Sequence, residues 1–356
     1  MTTATPAGPI PIIQVDGTNA ELGHAVGHRL RGRIQQVADE TRQGLSTRGV
    51  SLRSLRDEQA PYVEHVADRF PHLLGELQAL ADAADVPFEV LFWLNSGGMR
   101  TPLSPGNASR SAAEPDGCTS VASRGPNGTV VGHNEDAHPQ CIDDLFLIDA
   151  RISPEGISSS SRFVGLCYAY TLAGCAASMN GHGLIALVDS LQDPDPQPGV
   201  PCDFLTRAVL EQPSIEAAID CLEDSRRSGA VSLLLAQGDA LVNVELTSKR
   251  LVATDLRSVG SYAHTNHFVS GELMRACPAA AIESAARRER ASELAEAGMG
   301  VDRMKRLLCH RTGTYHDVCR ERTIGALVAS SDRPGVEVCL GPPDGGTWTW
   351  HGLERG

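Results

Sequence analysis

DGCTSVASRGPNGTVVGHNED, residues 116–136, is the stretch on which the fold turns. Two strand-like runs, Cys118 to Arg124 and Thr129 to Asn134, flank Pro126-Asn127-Gly128, and such a turn between such runs signals a tight hairpin. Upstream the character reverses: GMRTPLSPGNASRSAAEPDG, residues 98–117, keeps no apolar period and predicts an exposed linker. A thiol therefore stands where a linker meets a strand, with Gly117 before it. Such a thiol can attack the carbonyl just upstream, and glycine gives that attack unusual dihedrals with no Cβ in the way. Cutting the Gly117–Cys118 bond would leave Cys118 a free α-amino group. Its reference pKa of about 7.7 to 8.0 suits it to be the base for its own thiol. The competing reading is a small buried side chain at a strand start, an ordinary place for one of ten cysteines.

On the N-terminal side, a short apolar run from Pro9 to Val15 precedes helical periodicity. Leu22, Val26, Leu30, Ile34 and Val37 predict one helix from Asn19 to about Leu45, and Ser51 to Phe70, His72 to Ala84 and Phe88 to Leu94 repeat the period. On the C-terminal side the pattern is mainly β. Strands are expected over 146–152, 163–168, 176–179, 184–189, 231–237, 241–246, 251–255, 261–265, 323–330 and 336–340. Helices pair at 204–212 with 215–226 and at about 280–297 with 301–309. Strands in blocks and helices in pairs predict an α+β chain with two antiparallel sheets and helical layers outside, not an alternating βαβ fold.

Composition narrows the chemistry. Net charge is −13 over 356 residues and neither the part before Cys118 nor the part after Gly117 is basic, which argues against a nucleic-acid partner. No run reaches the roughly 18 apolar residues of a membrane helix, and the first Lys or Arg is Arg29, so a cytoplasmic protein without a signal segment is expected. Lys249 and Lys305 are the only lysines, leaving few candidates for Schiff-base or P-loop chemistry. His133, His138, His264 and His267 with Cys309, His310, His316 and Cys319 are metal-capable, but there is no CxxC pair. The HxxH of His264 and His267 falls in a strand or loop rather than on a helix, so no metal is expected.

The run from Cys118 through Gly132-His133-Asn134-Glu135-Asp136 resembles the acyl-coenzyme A:6-aminopenicillanic acid acyltransferase family, N-terminal-nucleophile hydrolases of the C45 peptidase type. Ser178-Met179-Asn180-Gly181-His182-Gly183-Leu184, Ala263-His264-Thr265-Asn266-His267-Phe268 and Cys319-Arg320 look like later family motifs. Where that family often carries an aromatic residue after the Asp, this chain has Ala137. The resemblance implies a four-layer αββα sandwich, self-cleavage at Gly117–Cys118, a helical α-chain of residues 1–117 and a catalytic β-chain of residues 118–356.

It also implies roles. Cys118 would carry the acyl group as a thioester, Asp136 would orient the α-amine or polarise water, and Asn266 would donate to an oxyanion. Arg320, with Arg322 as the alternative, would grip Asp136 or a substrate carboxylate. His133, Asn134, Glu135, Asn180 and His264 are weaker substrate-binding candidates, and for Asn180 a plain turn role competes. The expected activity is hydrolysis of a small N-acyl amide or transfer of its acyl group. No cofactor is expected beyond acyl-coenzyme A as a donor in the transfer version. The expected partners are a small acyl amide or amine, the two chains of one precursor, and a second copy in a homo-oligomer. Two rivals stand beside this reading: an uncut Cys/His hydrolase with His264 or His267 as base for Cys118, and a non-catalytic binding protein on the same scaffold.

Overall fold

In the computed structural model, which describes residues 9–97, 117–126, 128–153, 161–276 and 282–353, the hairpin is the centre of the molecule. The chain enters through β1 (Ile12–Gly17), followed by α1 (Asn19–Arg29), α2 (Arg31–Thr47), α3 (Leu52–Arg69), α4 (Pro71–Ala84) and α5 (Phe88–Asn95). The linker of residues 98–116 lies outside the described residues. β2 (Gly117–Gly125) and β3 (Gly128–Asp136) form the hairpin, and β4 (Leu145–Ile152), β5 (Ser161–Tyr168), β6 (Ala177–Asn180) and β7 (Ile185–Leu191) follow. Beyond a short pair, β8 (Val200–Pro201) and β9 (Arg227–Ser228), which brackets α6 (Cys202–Val209) and α7 (Ile215–Glu223), come β10 (Ala230–Gln237), β11 (Ala240–Leu246), β12 (Leu251–Asp255) and β13 (Ser261–His264). Helices α8 (Gly271–Ala276), α9 (Ile282–Leu294) and α10 (Val301–Leu308) precede β14 (Thr323–Ser330), β15 (Arg333–Leu340) and β16 (Trp348–Gly352).

These strands form an eight-stranded sheet in the order β1-β4-β5-β6-β7-β10-β11-β12 and a six-stranded sheet in the order β13-β2-β3-β14-β15-β16. Strand alternation turns that order into layers, because successive side chains face opposite sides. In the hairpin, Ala122 and Val131 meet Leu147, Leu166, Leu187 and Leu234 of the larger sheet, filling the space between the sheets. Their neighbours Val121 and Val130 face outward onto Ala291, Met304 and Leu308 of α9 and α10. The larger sheet's other face carries Ile148, Phe163, Val188 and Leu233 against Leu22, Leu77, Phe92 and Phe204 from α1, α4, α5 and α6. The result is a four-layer αββα sandwich.

The N-terminal segment is built into this core. β1 pairs in parallel with β4, Ile12 opposite Leu147 through Gly17 opposite Ile152. A Cβ at Gly23 would lie 2.0 Å from the Glu76 carbonyl oxygen, and one at Gly27 2.5 Å from that of Leu80, so this glycine pair lets α1 lie directly on α4. The buried Glu76 carboxylate accepts from Asn19 Nδ2 at 2.8 Å and Arg207 Nη2 at 3.0 Å, joining α1, α4 and α6. The helix expected over Asn19–Leu45 is two. Leu30 leaves helical geometry, capping α1 with its N–H on Val26 and opening α2 with its carbonyl. The apolar period runs through the break because Leu30 still packs on the same core, so spacing alone does not show it.

Candidate active site

Cys118 is the second residue of β2, 3% exposed, and its backbone and side chain look in different directions. The two-residue turn pairs Gly117 with Asp136, Cys118 with Glu135, and Ser120 with His133. By parity, Cys118, Ser120, His133 and Glu135 face the space between the sheets, whereas Gly117, Thr119, Asn134 and Asp136 lie on the face covered by α9 and α10. The Cys118 N–H donates to Asn266 Oδ1 at 2.8 Å, just beyond β13. Arg287 Nη2 donates to the same oxygen at 2.6 Å, and Asn266 Nδ2 donates to the Ser190 carbonyl at 3.1 Å. Two donors converging on Oδ1 mean that the amide offers Cys118 its oxygen, not the donor end expected for an oxyanion.

On the helix-covered face, a Cβ at Gly117 would stand 3.0 Å from Arg320 Nη1 and 3.1 Å from Arg287 Nη2. Any larger residue here would press on the two guanidinium ends that close over Gly117, which would have to yield by a few tenths of an ångström. Arg287, on α9 and 2% exposed, also donates from Nε to Thr119 Oγ1 at 3.0 Å and from Nη2 to the Cys118 carbonyl at 3.3 Å. Fully buried Asp136 accepts from Thr323 Oγ1 at 2.6 Å through Oδ1. Its Oδ2 lies 3.7 Å from Arg320 Nη1 and, among the described residues, accepts no hydrogen bond. Burial pushes the Asp136 pKa up, with Arg287, the Thr323 hydroxyl and Arg320 pulling the other way. Arg320 contributes one long contact to Asp136 rather than a bidentate fork, and its Nη2 holds Glu283 at 2.8 Å.

On the inner face, Glu135 Oε2 sits 3.7 Å from Cys118 Sγ and 3.0 Å from His133 Nε2, and Oε1 accepts from the Tyr168 hydroxyl at 2.8 Å. His133 Nδ1 lies 3.0 Å from Ser120 Oγ. Burial opposes a charge on His133, but the Glu135 hydrogen bond and carboxylate outweigh it and its pKa is raised. Among the described residues this is the one trio of metal-capable groups drawn together: ligand atoms of Cys118, His133 and Glu135 lie within 4.8 Å of one another.

A family model described as acyl-coenzyme A:6-aminopenicillanic acid acyl-transferase matches residues 123–344. The chain belongs to this family. A beta-alanyl-dopamine/carcinine hydrolase of Drosophila melanogaster is 28% identical over 225 residues, 61% of this chain; the chain spans 58% of that relative's length. Among solved structures, penicillin V acylase from Agrobacterium tumefaciens aligns over 66% of this chain and 86% of its own, with 15% identity and a TM-score of 0.46. A mutant of a conjugated bile acid hydrolase from Clostridium perfringens aligns over 67% and 97%, with 11% identity and a TM-score of 0.43.

In this acyltransferase-family chain the other candidates fall away from the sulfur. Asn134 turns its amide outward, donating to the Leu308 and Val318 carbonyls at 2.9 Å each. Asn180 ties a turn: Nδ2 holds the Leu210 and Gln212 carbonyls, and Oδ1 takes the N–H groups of His182 and Leu184. Neither is placed to meet substrate at Cys118. Buried His264 spends Nδ1 on Asp189 at 3.1 Å and Nε2 on Glu245 at 2.9 Å, which raises its pKa against the effect of burial. Neither of its nitrogens is available to Cys118. His267 Nδ1 contacts Ser284 Oγ and Thr265 Oγ1. No motif in the sequence marks Arg287; its one signal is a place beside Ala286 on the buried stripe of a helix. Among the described residues, no helix is long and apolar enough to cross a membrane.

Proposed function

We propose that the chain cuts itself between Gly117 and Cys118 and then works as an N-terminal cysteine amidohydrolase on a small acylated amine. The observation that carries this is the meeting of three groups at one peptide bond. The Cys118 nitrogen is held on Asn266 Oδ1, the sulfur faces a buried carboxylate, and the glycine before them lies under two guanidiniums. After the cut, Asn266 Oδ1 would accept from the new α-amine and keep it beside its own sulfur, so one residue supplies nucleophile and base. Sγ attacks the amide carbonyl, the amine departs, and water hydrolyses the thioester. Segments 1–117 and 118–356 then form the two chains of one enzyme, held by β1 in the larger sheet and by Asn19, Glu76 and Arg207.

The Drosophila relative is named for β-alanyl-dopamine and carcinine hydrolysis. A substrate of that kind, a short acyl group on a small amine, is the class assigned to this chain. Acyl transfer shares the first half of the reaction, with an amine in place of water and acyl-coenzyme A as the donor in that version. The uncut Cys/His alternative loses one of its two candidate bases, because His264 has both ring nitrogens on carboxylates.

Intact-mass spectrometry of the wild type beside Cys118→Ala and Cys118→Ser is the test. The wild type is expected as fragments 1–117 and 118–356, the alanine variant as one chain, and the serine variant as a slowly cut chain, because a hydroxyl is the weaker nucleophile. One whole chain in all three, with acyl-amide hydrolysis unchanged by Cys118→Ala, refutes the proposal. A binding protein on this scaffold would leave Cys118 unlabelled by a thiol-reactive acyl analogue.

A further inference from the structure

An enzyme that relies on an α-amine released by self-cleavage lacks that amine for the first cut. In the uncut chain the Cys118 nitrogen is an amide and no base. Whatever removes the thiol proton then must be a different group in contact with the sulfur. Glu135 Oε2, 3.7 Å from Sγ, is the carboxylate so placed, directly opposite Cys118 in the hairpin register.

The surroundings of Glu135 hold it in position. The Tyr168 hydroxyl donates to Oε1 at 2.8 Å, and His133 Nε2 lies 3.0 Å from Oε2. His133 is in turn oriented by Ser120 Oγ, 3.0 Å from Nδ1. This array is apart from Asp136 on the opposite face of the strands, where Arg287 meets Thr119 and Arg320 meets Asp136.

We propose that Glu135 is the general base of self-cleavage, with His133 and Tyr168 as its positioning residues. The inference rests on the self-cutting proposed above. The Sγ proton passes to Glu135 Oε2 as sulfur adds to the Gly117 carbonyl carbon. The C–S bond forms, the C–N bond breaks, and the proton goes on to the departing Cys118 nitrogen. Water then hydrolyses the Gly117 thioester, releasing the glycine carboxylate and restoring the thiol. Nothing is oxidised or reduced, and water is the only co-reactant. From that point the new α-amine serves as base for substrate.

The test is the cutting rate of the full chain, followed by intact mass from pH 6 to 9, for wild type, Glu135→Gln and Glu135→Asp. General-base removal is worth about 10²- to 10⁴-fold, so Glu135→Gln is expected to cut that much more slowly than wild type. Its residual rate should rise about tenfold per pH unit, because an unaided thiol reacts only as its solution thiolate fraction. A merely structural Glu135 would not produce that slope. Glu135→Asp keeps the charge but withdraws it from sulfur, and at least a tenfold slowing is expected. It also decides the matter if Glu135→Gln loses its cooperative melting transition. Wild-type cutting by Glu135→Asp, or by folded Glu135→Gln, overturns this inference alone. A wild-type chain that stays whole overturns the self-cutting reading beneath it.

Discussion

Replacing Arg287 with methionine tests whether the arginine that closes over Gly117 organises the site. Methionine keeps much of the stem's volume and removes every donor. The change takes away hydrogen bonds to Thr119 Oγ1, the Cys118 carbonyl and Asn266 Oδ1. It also removes the charge that most opposes burial of Asp136, leaving that carboxylate with Arg320 at 3.7 Å. Taking one partner from a buried charge cluster costs about 3–5 kcal/mol, and the separate hydrogen bonds are not added again because they belong to the same group. At roughly 2 °C per kcal/mol for a chain of this size, the melting temperature should fall by about 6–10 °C. Asn266 would lose one of the two donors on Oδ1, and a nucleophile displaced by as much as 1 Å can cost about 10²-fold in rate. Arg288→Met is the control. Among the described residues Arg288 donates to one carbonyl, that of Ala263 at 3.0 Å, so a drop of about 2 °C or less and unchanged cutting are expected.

The pH dependence sharpens this test. Burial already holds the folded-state pKa of Asp136 above its reference of 3.8, and loss of Arg287 raises it further. A raised folded-state pKa means that the folded chain binds the proton more tightly, so the associated stability is present in acid and lost as pH rises through that pKa. The deficit of Arg287→Met relative to wild type should therefore shrink from pH 8 to pH 5. Differential scanning fluorimetry and intact mass on the same samples measure both effects. Wild-type melting and wild-type cutting in Arg287→Met would refute the reasoning, as would a deficit that grows in acid.

Three further outcomes are expected. Gly117→Ala forces two guanidinium ends to yield by a few tenths of an ångström; cutting should slow about tenfold with little change in melting, and an unchanged mass-spectrometric time course would contradict the packing described. Asn180→Ala should cost about 1–3 kcal/mol by leaving buried turn groups unpaired, yet leave the cutting rate alone; slowed cutting in a chain that still melts cooperatively would return Asn180 to the site. The histidines set opposite slopes: His264, raised above 6.5, contributes stability lost as pH climbs past 6.5, and His267, lowered to about 4, contributes stability lost as pH falls from 6.5 toward 4. His264→Gln should flatten the alkaline decline of a melting-temperature profile and His267→Asn the acid one, and parallel profiles for all three proteins would disprove both assignments.

The inner strands were legible because each depends on local pattern: a period of two, bounded by turn residues. β1 was not legible as a strand. Ile12–Gly17 gains its hydrogen bonds from Leu147–Ile152, more than a hundred residues away, and nothing within six residues signals a parallel partner at that distance. Arg287 was hidden for a related reason. In Arg287-Arg288-Glu289-Arg290 the choice of inward arginine depends on the phase of a helix whose buried stripe holds only Ser284, Ala286, Arg287 and Ala291, a weak apolar signal.

The misplacement of Asn134 differs, because the information was present in the hairpin. A two-residue turn between Gly125 and Gly128 fixes the register, and the register puts Cys118 opposite Glu135. Parity then settles the rest. Glu135 and His133 must share the face of Cys118, while Asn134 and Asp136 must turn away from it toward the helices. A motif read as a block, His-Asn-Glu-Asp, suggested four residues around one thiol. The same four residues on a pleated strand make two sites back to back: a carboxylate and imidazole for the sulfur on one face, and an aspartate with two arginines for the peptide before it on the other. Under the self-cleavage proposed above both faces act, the thiol giving up its proton on one side while Gly117 is held from the other.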